Sequence, residues 1–334
     1  GQASAPDVSS TATLTVLGGG TVEVVDAATT VNNHGTFKVS GGSTFAYTTK
    51  GLDVKTGGTV TVAAGTLNVK GAALSVSGGT FTQESGSKVF TDTDPVLAGT
   101  VSLRKLVIDS SKESADADTF TAAVESMTTV KKSVLSIAGL DVENGVFDQS
   151  SGGTVLNSGS VTLGTNGSIK YANLVIEKDS AAVASAIAEM YAKSDEQAKK
   201  DANYKYYDAY VDKSGTVSAD EGTLEAKKIT VIDGTLTQGG TGAVKATDAD
   251  GGIVVDTKGT VKGTALTLAT QSASSSSSDT STATGINAQR LVQTGNGVVA
   301  IDADEGGIIT VDDGGVLVGT AMTLSSTVGS SAGI

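Results

Sequence analysis

Apolar and polar residues alternate along much of the chain, in runs of four to six positions that end at Gly-Gly or Gly-Ser pairs. The clearest runs lie between Thr11 and Phe90, where TLTVLGGGTVEVV, GTFKVSGGSTFAY and LDVKTGGTVTV follow one another. A period of two is typical of a strand with one buried face, and glycine supplies the turns between strands. The runs lie too close together for crossover helices. They predict strands that wind as coils or pair as hairpins, and the short glycine punctuation favours coils.

Two near-copies of a longer unit, Gln238–Leu268 and Gln293–Leu324, extend this pattern. With a shift of 55 positions, five glycines of the first copy fall on glycines of the second, and short β-branched runs such as IVV and IIT lie between them. A unit of this kind cannot bury its apolar face alone, so it stacks on its neighbours. The repeat therefore predicts a β-solenoid.

A glutamine stands between an apolar strand end and a glycine-rich turn at four places in the chain. These residues are Gln83, Gln149, Gln238 and Gln293. Two interpretations fit the sequence. The side chains stack as an amide ladder, each amide bonding the next, or they are polar strand ends.

Two insertions break the alternation with apolar residues at helical spacing. Residues 110–133 carry Phe120 and Met127 on one stripe, and residues 178–222 carry Ile187 and Met190 on another. Apolar residues that recur every three to four positions are typical of a helix with one buried face. Both insertions therefore predict short helices.

A third insertion, residues 269–285, is dominated by serine and predicts a flexible polar loop. We expect all three insertions to project from one edge of the solenoid. The predicted organisation is an extended N-terminal segment, residues 1–10, followed by a solenoid over residues 11–334 that the insertions interrupt.

Composition narrows the function classes. The chain has 334 residues, 43 glycines, 2 prolines, no cysteine and a net charge of −13. Without cysteine there are no disulfides, thiolate metal sites or cysteine nucleophiles. The negative charge argues against nucleic acid and anionic membranes as partners, and no apolar run reaches the length of a membrane span.

The stretch Tyr210–Glu221 resembles the calcium loop of an EF-hand or dockerin. Asp212, Ser214 and Glu221 fall on loop positions that supply oxygen ligands, and Gly215 falls on the sharp turn. The first position is tyrosine instead of aspartate, and a strand-like sequence follows the loop. Two interpretations stay open: a calcium site made by Asp212, Ser214 and Glu221, or a hairpin-like return from the helical insertion. Calcium is the only cofactor that the sequence suggests.

Further acidic residues cluster beside Gly-Gly turns, where they either bind a divalent cation or lie solvated in the turns. They are Asp248, Asp250, Asp256, Asp302, Asp304, Glu305, Asp312 and Asp313. His34, the only histidine, lies in the turn-like sequence VNNHGTF without a paired carboxylate nearby, so we expect a turn residue and not a general base. The sequence predicts no catalytic residue.

The units GTLNVKGAALSVSGGTFTQESGS, LDVKTGGTVTVAAG and ITVIDGTLTQGGTG resemble passenger regions of bacterial autotransporters and related filamentous adhesins. This resemblance covers most of the chain outside the insertions. It implies a right-handed parallel β-helix that is secreted through the outer membrane and displayed on the cell surface.

The expected function is therefore that of a non-enzymatic extracellular structural protein, a stalk or fibre subunit of the bacterial cell surface. Open solenoid ends are unpaired strand edges, so we expect self-association through those ends. A host or neighbouring-cell surface or a glycan is the expected external partner. Two alternatives stay open: a polysaccharide-acting β-helix enzyme and a calcium-dependent surface-layer protein.

Overall fold

Strands make up all the regular secondary structure in the part of the chain that the structure describes. They fall into two compact units, Gly1–Leu156 (unit 1) and Asn157–Ile334 (unit 2). The computed structural model describes residues 7–8, 13–17, 30–40, 46–131, 133–177, 208–211, 215–248, 252–269, 284–301, 308–311 and 314–319.

Unit 1 is built from short strands separated by glycine-containing turns, as the alternation predicts. Its strands are β1 (Asp7–Val8), β2 (Thr13–Leu17), β3 (Thr30–Asn33), β4 (Thr36–Ser40), β5 (Ala46–Thr49), β6 (Gly51–Val54), β7 (Thr59–Val69), β8 (Leu74–Val76), β9 (Thr80–Gln83), β10 (Ser87–Thr91), β11 (Val96–Leu97), β12 (Thr100–Asp109), β13 (Thr119–Ala122), β14 (Ser126–Thr128), β15 (Val134–Gln149) and β16 (Thr154–Asn157).

Fourteen of these strands pair in parallel and form three sheets that the chain visits in turn, and β14 pairs with the end of β15. The first sheet contains β2, β4, the start of β7, β9, and the starts of β12 and β15. The second contains β5, the end of β7, β10, β13, and the later parts of β12 and β15. The third contains β1, β3, β6, β8 and β11. Three parallel sheets visited once per turn are the architecture of a β-solenoid.

The core of unit 1 is a set of inward columns in which equivalent residues of successive turns stack. One column of the first sheet runs Phe37, Val60, Phe81 and Val101, in register and at most 1% exposed. Phe81 also meets Phe120 edge to face, with 6.1 Å between ring centroids. Such aliphatic and aromatic columns fill a narrow interior without tryptophan.

Unit 2 has the same construction. Its strands are β17 (Val161–Glu177), β18 (Asp208–Val211), β19 (Thr216–Ala219), β20 (Thr223–Ile232), β21 (Thr235–Gln238), β22 (Ala243–Ala246), β23 (Ile253–Asp256), β24 (Thr260–Gly263), β25 (Ala265–Leu268), β26 (Gly285–Ala288), β27 (Arg290–Gln293), β28 (Val298–Ile301), β29 (Ile308–Val311) and β30 (Val316–Gly319).

Three parallel sheets also recur in unit 2. The first contains the start of β17, β19, β21, β24 and β28. The second contains the middle of β17, the start of β20, β22, β26, β25 and β29. The third contains β18, the end of β17, the end of β20, β23, β27 and β30. The predicted parallel β-helix is therefore confirmed, whereas its right-handedness stays a prediction.

The prediction of a helix over residues 110–133 is wrong. This stretch contains β13 and β14, and β13 lies in the second sheet between β10 and β12. Both faces of β13 are buried, and Ala115 of the preceding loop is buried as well. The apolar spacing alone fitted a helix, but two neighbouring strands offer β13 backbone partners on both edges, and this tertiary pairing overrides the local pattern.

The helix predicted over residues 178–222 is also wrong in its last part, because β18 and β19 lie there. Residues 178–207 and 270–283 lie outside the described residues. Each stretch is followed by a strand that pairs beside the strand preceding it: β18 beside β17, and β26 beside β25. The expectation that the insertions project from one edge of the solenoid therefore stays a prediction.

Candidate functional site

The outer face of the first sheet in unit 1 carries hydroxyl side chains in two regular columns. Successive turns lie roughly 4.8 Å apart, and alternate residues along a strand lie roughly 6.6 Å apart. One column runs through Thr36, Thr59, Thr80 and Thr100. The other runs through Thr61, Thr82, Ser102 and Ser136. These residues were not among the predicted site residues, although the recurring Thr-x-Thr at the start of strands is a visible signal.

The first sheet of unit 2 repeats this outer face. Thr216, Thr235 and Thr260 stand in register on β19, β21 and β24, and Val298 continues their column on β28. Threonine suits this position because its branched side chain fits a pleated sheet while its hydroxyl stays solvated. The face presents a polar, weakly charged surface.

Gln238 clamps two successive turns of the solenoid with its amide. Its Nε2 donates to the carbonyl oxygens of Gly242, at 2.9 Å, and Gly239, at 3.1 Å. Its Oε1 accepts from the backbone N–H and the hydroxyl of Thr264, both at 2.9 Å. The side chain is 2% exposed, so these bonds are protected from water.

The other three glutamines repeat the hydrogen bond that Gln238 Nε2 donates to the carbonyl oxygen of Gly242. Nε2 of Gln83, Gln149 and Gln293 donates to the carbonyl oxygen four residues later, on Ser87, Gly153 and Gly297 respectively. The cross-strand neighbours of Gln83, Gln238 and Gln293 are Val62, Ala219 and Val255, and Gln293 also has Gly319 on its other side. Because these neighbours are apolar, the amide-ladder interpretation is wrong for them. In each case the buried amide instead binds the glycine-containing chain reversal that follows the glutamine, and we call this arrangement the glutamine clamp.

Gly242 shows why the turn after the glutamine contains glycine. A β-carbon at this position would lie 1.9 Å from the carbonyl oxygen of Ala219 in the preceding turn. The Gly242 N–H donates to Asp220 O at 3.0 Å and its carbonyl accepts from the Gly285 N–H at 3.1 Å. The glycine therefore allows successive turns to approach closely enough to hydrogen-bond.

The predicted calcium ligands are not all in the described part of the chain. Asp212 and Ser214 lie outside the described residues. Glu221 lies exposed after β19, and its carboxylate accepts a hydrogen bond from the Thr165 hydroxyl. Val217, inside the predicted loop, is fully buried in β19. Calcium binding by Asp212, Ser214 and Glu221 stays a prediction.

Only Asp248 and Asp256 of the acidic turn residues lie in the described ranges. Asp256 accepts a hydrogen bond from the Thr294 side chain and another from the Thr257 N–H, and these donors lower the pKa of its carboxyl group. Asp248 is exposed. Within the described residues, no three His, Asp or Glu side chains come together as a group that could hold a metal ion.

Three other titratable residues lie apart from these carboxylates. His34 is exposed in the turn between β3 and β4, as expected. Burial raises the pKa of the Asp94 carboxyl group, and a backbone hydrogen bond from Thr128 opposes that shift. Tyr171 is 2% exposed, and burial raises the pKa of its phenol. These residues lie on different strands and turns and do not form one site.

No helix in the described ranges is long and apolar enough to cross a membrane.

Comparison with known proteins gives little beyond this geometry. No protein-family model matches the chain, and no curated protein is significantly similar to it. Among solved structures, the crystal structure of a TibC-catalysed, hyper-glycosylated TibA fragment matches 96% of this chain and 98% of the fragment. The sequence identity is 15% and the TM-score is 0.27. A likeness this remote carries no functional argument, so function has to be inferred from the contacts of this chain.

Proposed function

We propose that this chain is a non-enzymatic structural component of a bacterial surface protein, a stalk or fibre subunit that serves an adhesin. In this role the solenoid holds contact surfaces away from the cell. The protein works outside the cell, and its external partner is a host surface, a neighbouring cell or a glycan. No cofactor is needed for this function.

The observation that supports this proposal is the in-register stacking of parallel turns within each unit. Inward columns such as Phe37, Val60, Phe81 and Val101 are buried, and buried amides such as that of Gln238 tie one turn to the next. Each turn contacts only its neighbours, so this construction resists bending and can be lengthened without a new core. The outer threonine columns meanwhile keep a solvated surface of low charge. These are properties that a spacer requires.

End-to-end association of copies is the second part of the proposal. Among the described strands, β28, β29 and β30 each have one hydrogen-bonded neighbour in their sheets, namely β24, β25 and β27. A strand edge of this kind accepts another parallel strand. Strand β2 of another copy, which has one hydrogen-bonded neighbour, β4, among the described strands of its sheet, has the same alternation and supplies such a strand.

Negative-stain electron microscopy of the purified chain, with and without a chelator, tests both parts. Filaments with a uniform cross-section support end-to-end association, and isolated particles contradict it. Loss of the particles or filaments in the chelator would favour the calcium-dependent surface-layer alternative. A chelator without effect supports a function that needs no metal.

A second experiment distinguishes the adhesin role from the alternative of a polysaccharide-acting enzyme. Beads coated with the chain are incubated with bacterial cells, host cells and a glycan array, and beads coated with urea-unfolded chain serve as the control. Retention by the folded chain alone supports the adhesin role. Release of shortened or unsaturated sugars from a panel of polysaccharides would overturn the non-enzymatic proposal.

A further inference from the structure

The outer face of the third sheet in unit 2 is mostly apolar, whereas the outer face of the first sheet is polar. One outward column runs across five strands in register, through Val175, Thr230, Val254, Val292 and Val318, and Tyr210 of β18 is in register with Val175 at the end of this column. Val318 is 42% exposed, and the other four are half-buried. In the first sheet of the same unit, the corresponding outward column begins with three threonines. We call the valine-rich column the valine ridge.

Opposite charges flank the valine ridge on its two sides. The column before it contains Asn173, Lys228 and, two turns beyond Lys228, Arg290. Lys227 lies exposed beside Lys228. Two acidic residues oppose these charges on this flank: exposed Asp248, and Asp208, which β18 places in register with Asn173. This side is the basic flank.

The column after the valine ridge contains Glu177, Ile232 and Asp256. Asp233 follows Ile232 at the same corner, and exposed Lys258 is the opposing charge on this flank. Asp256 is held charged by its two hydrogen-bond donors. This side is the acidic flank.

The two flanks determine how a second copy of this face can pack against the first. A two-fold axis parallel to the stacking direction places the basic flank of each copy against the acidic flank of the other. A two-fold axis across the stacking direction instead places like charges together, which is unfavourable. Only the first arrangement also keeps every turn of one valine ridge beside the equivalent turn of the other.

We propose that the valine ridge and its flanks form a parallel, side-by-side interface between two copies of this chain. In this dimer Lys228 lies opposite the acidic flank of the other copy. It faces the position between that copy's Glu177, one turn before Lys228, and that copy's Asp256, one turn after it. Apolar burial along the ridge supplies attraction, and the charges select the orientation and register. The interface goes beyond the proposed function and does not depend on which surface or glycan the protein binds.

The size of the face predicts a weak dimer. Five strands roughly 4.8 Å apart and three columns give a face that is smaller than the roughly 800 Å² per partner of a standard stable complex. We therefore expect weak, transient association, which weakens further with added salt. Weak side-by-side contacts suit copies that are already concentrated on one cell surface.

Sedimentation of the full chain, at up to about 0.5 mM, tests the association. The variant K228E/R290E makes both flanks acidic, and we expect its dissociation constant to rise at least about tenfold. The variant E177K/D256K makes both flanks basic and has the same expected result. A mixture of the two variants restores complementarity, so it should form a heterodimer at least as tight as the wild-type dimer. Circular dichroism melting checks that each variant folds.

Cross-linking tests the orientation, because the chain has no native cysteine. Opposed sheet faces pack roughly 10 Å apart, which a short bis-maleimide spans. Single-cysteine variants V175C and V292C should each cross-link to themselves, and T235C on the first sheet of unit 2 is the matched control.

Three outcomes would overturn the proposal. They are no concentration-dependent association of the wild-type chain, cross-linking of T235C equal to that of V175C and V292C, and cross-linking only in a mixture of V175C with V318C, the variants at the two ends of the ridge. The last outcome would indicate an antiparallel pair. None of these results affects the retention of cells or glycans by beads coated with the folded chain, so failure here is distinguishable from failure of the proposed function.

Discussion

Replacement of Gln238 by leucine removes a buried amide while keeping the side chain's volume. In the wild-type protein, the amide bonds two carbonyl oxygens of its own turn and the backbone N–H of Thr264 in the next turn. Gly239 O and Gly242 O each keep another backbone donor, from Gly242 N–H and Gly285 N–H. The N–H and the hydroxyl of Thr264 are therefore the groups that lose their acceptor.

The magnitude follows from these contacts. A backbone N–H left without an acceptor costs about 1–3 kcal/mol, and loss of the two bonds to the carbonyl oxygens adds about 1 kcal/mol. We expect Q238L to lose about 2–4 kcal/mol of local opening free energy, which corresponds to a fall of roughly 30- to 1000-fold in hydrogen-exchange protection. Hydrogen exchange suits a stacked chain better than global unfolding, since repeat arrays need not unfold in one step.

The assay compares hydrogen exchange of the Thr264 N–H and the turn after Gln238 in the wild-type chain, in Q238L and in a control, Q289L. Gln289 is half-buried at the corner before β27, and its backbone carbonyl, not its side chain, accepts from Val316 N–H. We expect the control to change protection by less than about threefold, as surface substitutions generally do. Equal loss in Q238L and Q289L, or no loss in Q238L, would refute the clamp.

Three further predictions concern packing and pH. Gly242→Ala should lose about 3–5 kcal/mol of local opening free energy in hydrogen exchange, because its β-carbon would lie 1.9 Å from Ala219 O; a loss below about 1 kcal/mol would contradict this. Thr294→Val removes a donor that lowers the pKa of Asp256, so an NMR titration should show that pKa rising. Because the folded-state pKa is lowered, the stability difference between this variant and the wild type should be present above the unfolded pKa of about 3.9 and vanish as the pH falls. Burial raises the pKa of the Tyr171 phenol. The contribution of this group to the stability of the fold is therefore present below pH about 10 and lost as the pH rises further. Denaturant melts at alkaline pH should therefore decline more steeply for the wild type than for Tyr171→Phe.

Local alternation of apolar and polar residues determined most of the strands. Residues such as Val60 and Val62 are inward because a strand presents successive side chains to opposite faces, and no tertiary contact is needed to predict this. The Gly-rich turns and the absence of cysteine and tryptophan likewise indicated a narrow, glycine-punctuated solenoid. The same reasoning failed for residues 110–133, where Phe120 and Met127 fit a helical stripe as well as a strand.

Tertiary structure alone decided which residues of different turns lie beside one another. Insertions make the turns unequal in length, so a column such as Val175, Val254 and Val292 has no constant spacing in the sequence. For the same reason the partners of the Gln238 amide could not be identified, and the amide ladder fitted the sequence as well as the clamp did. A strand's own pattern determines which face of it is buried. The register between strands depends on hydrogen bonds across the whole stack, and that register created both the buried clamp and the charged flanks of the valine ridge.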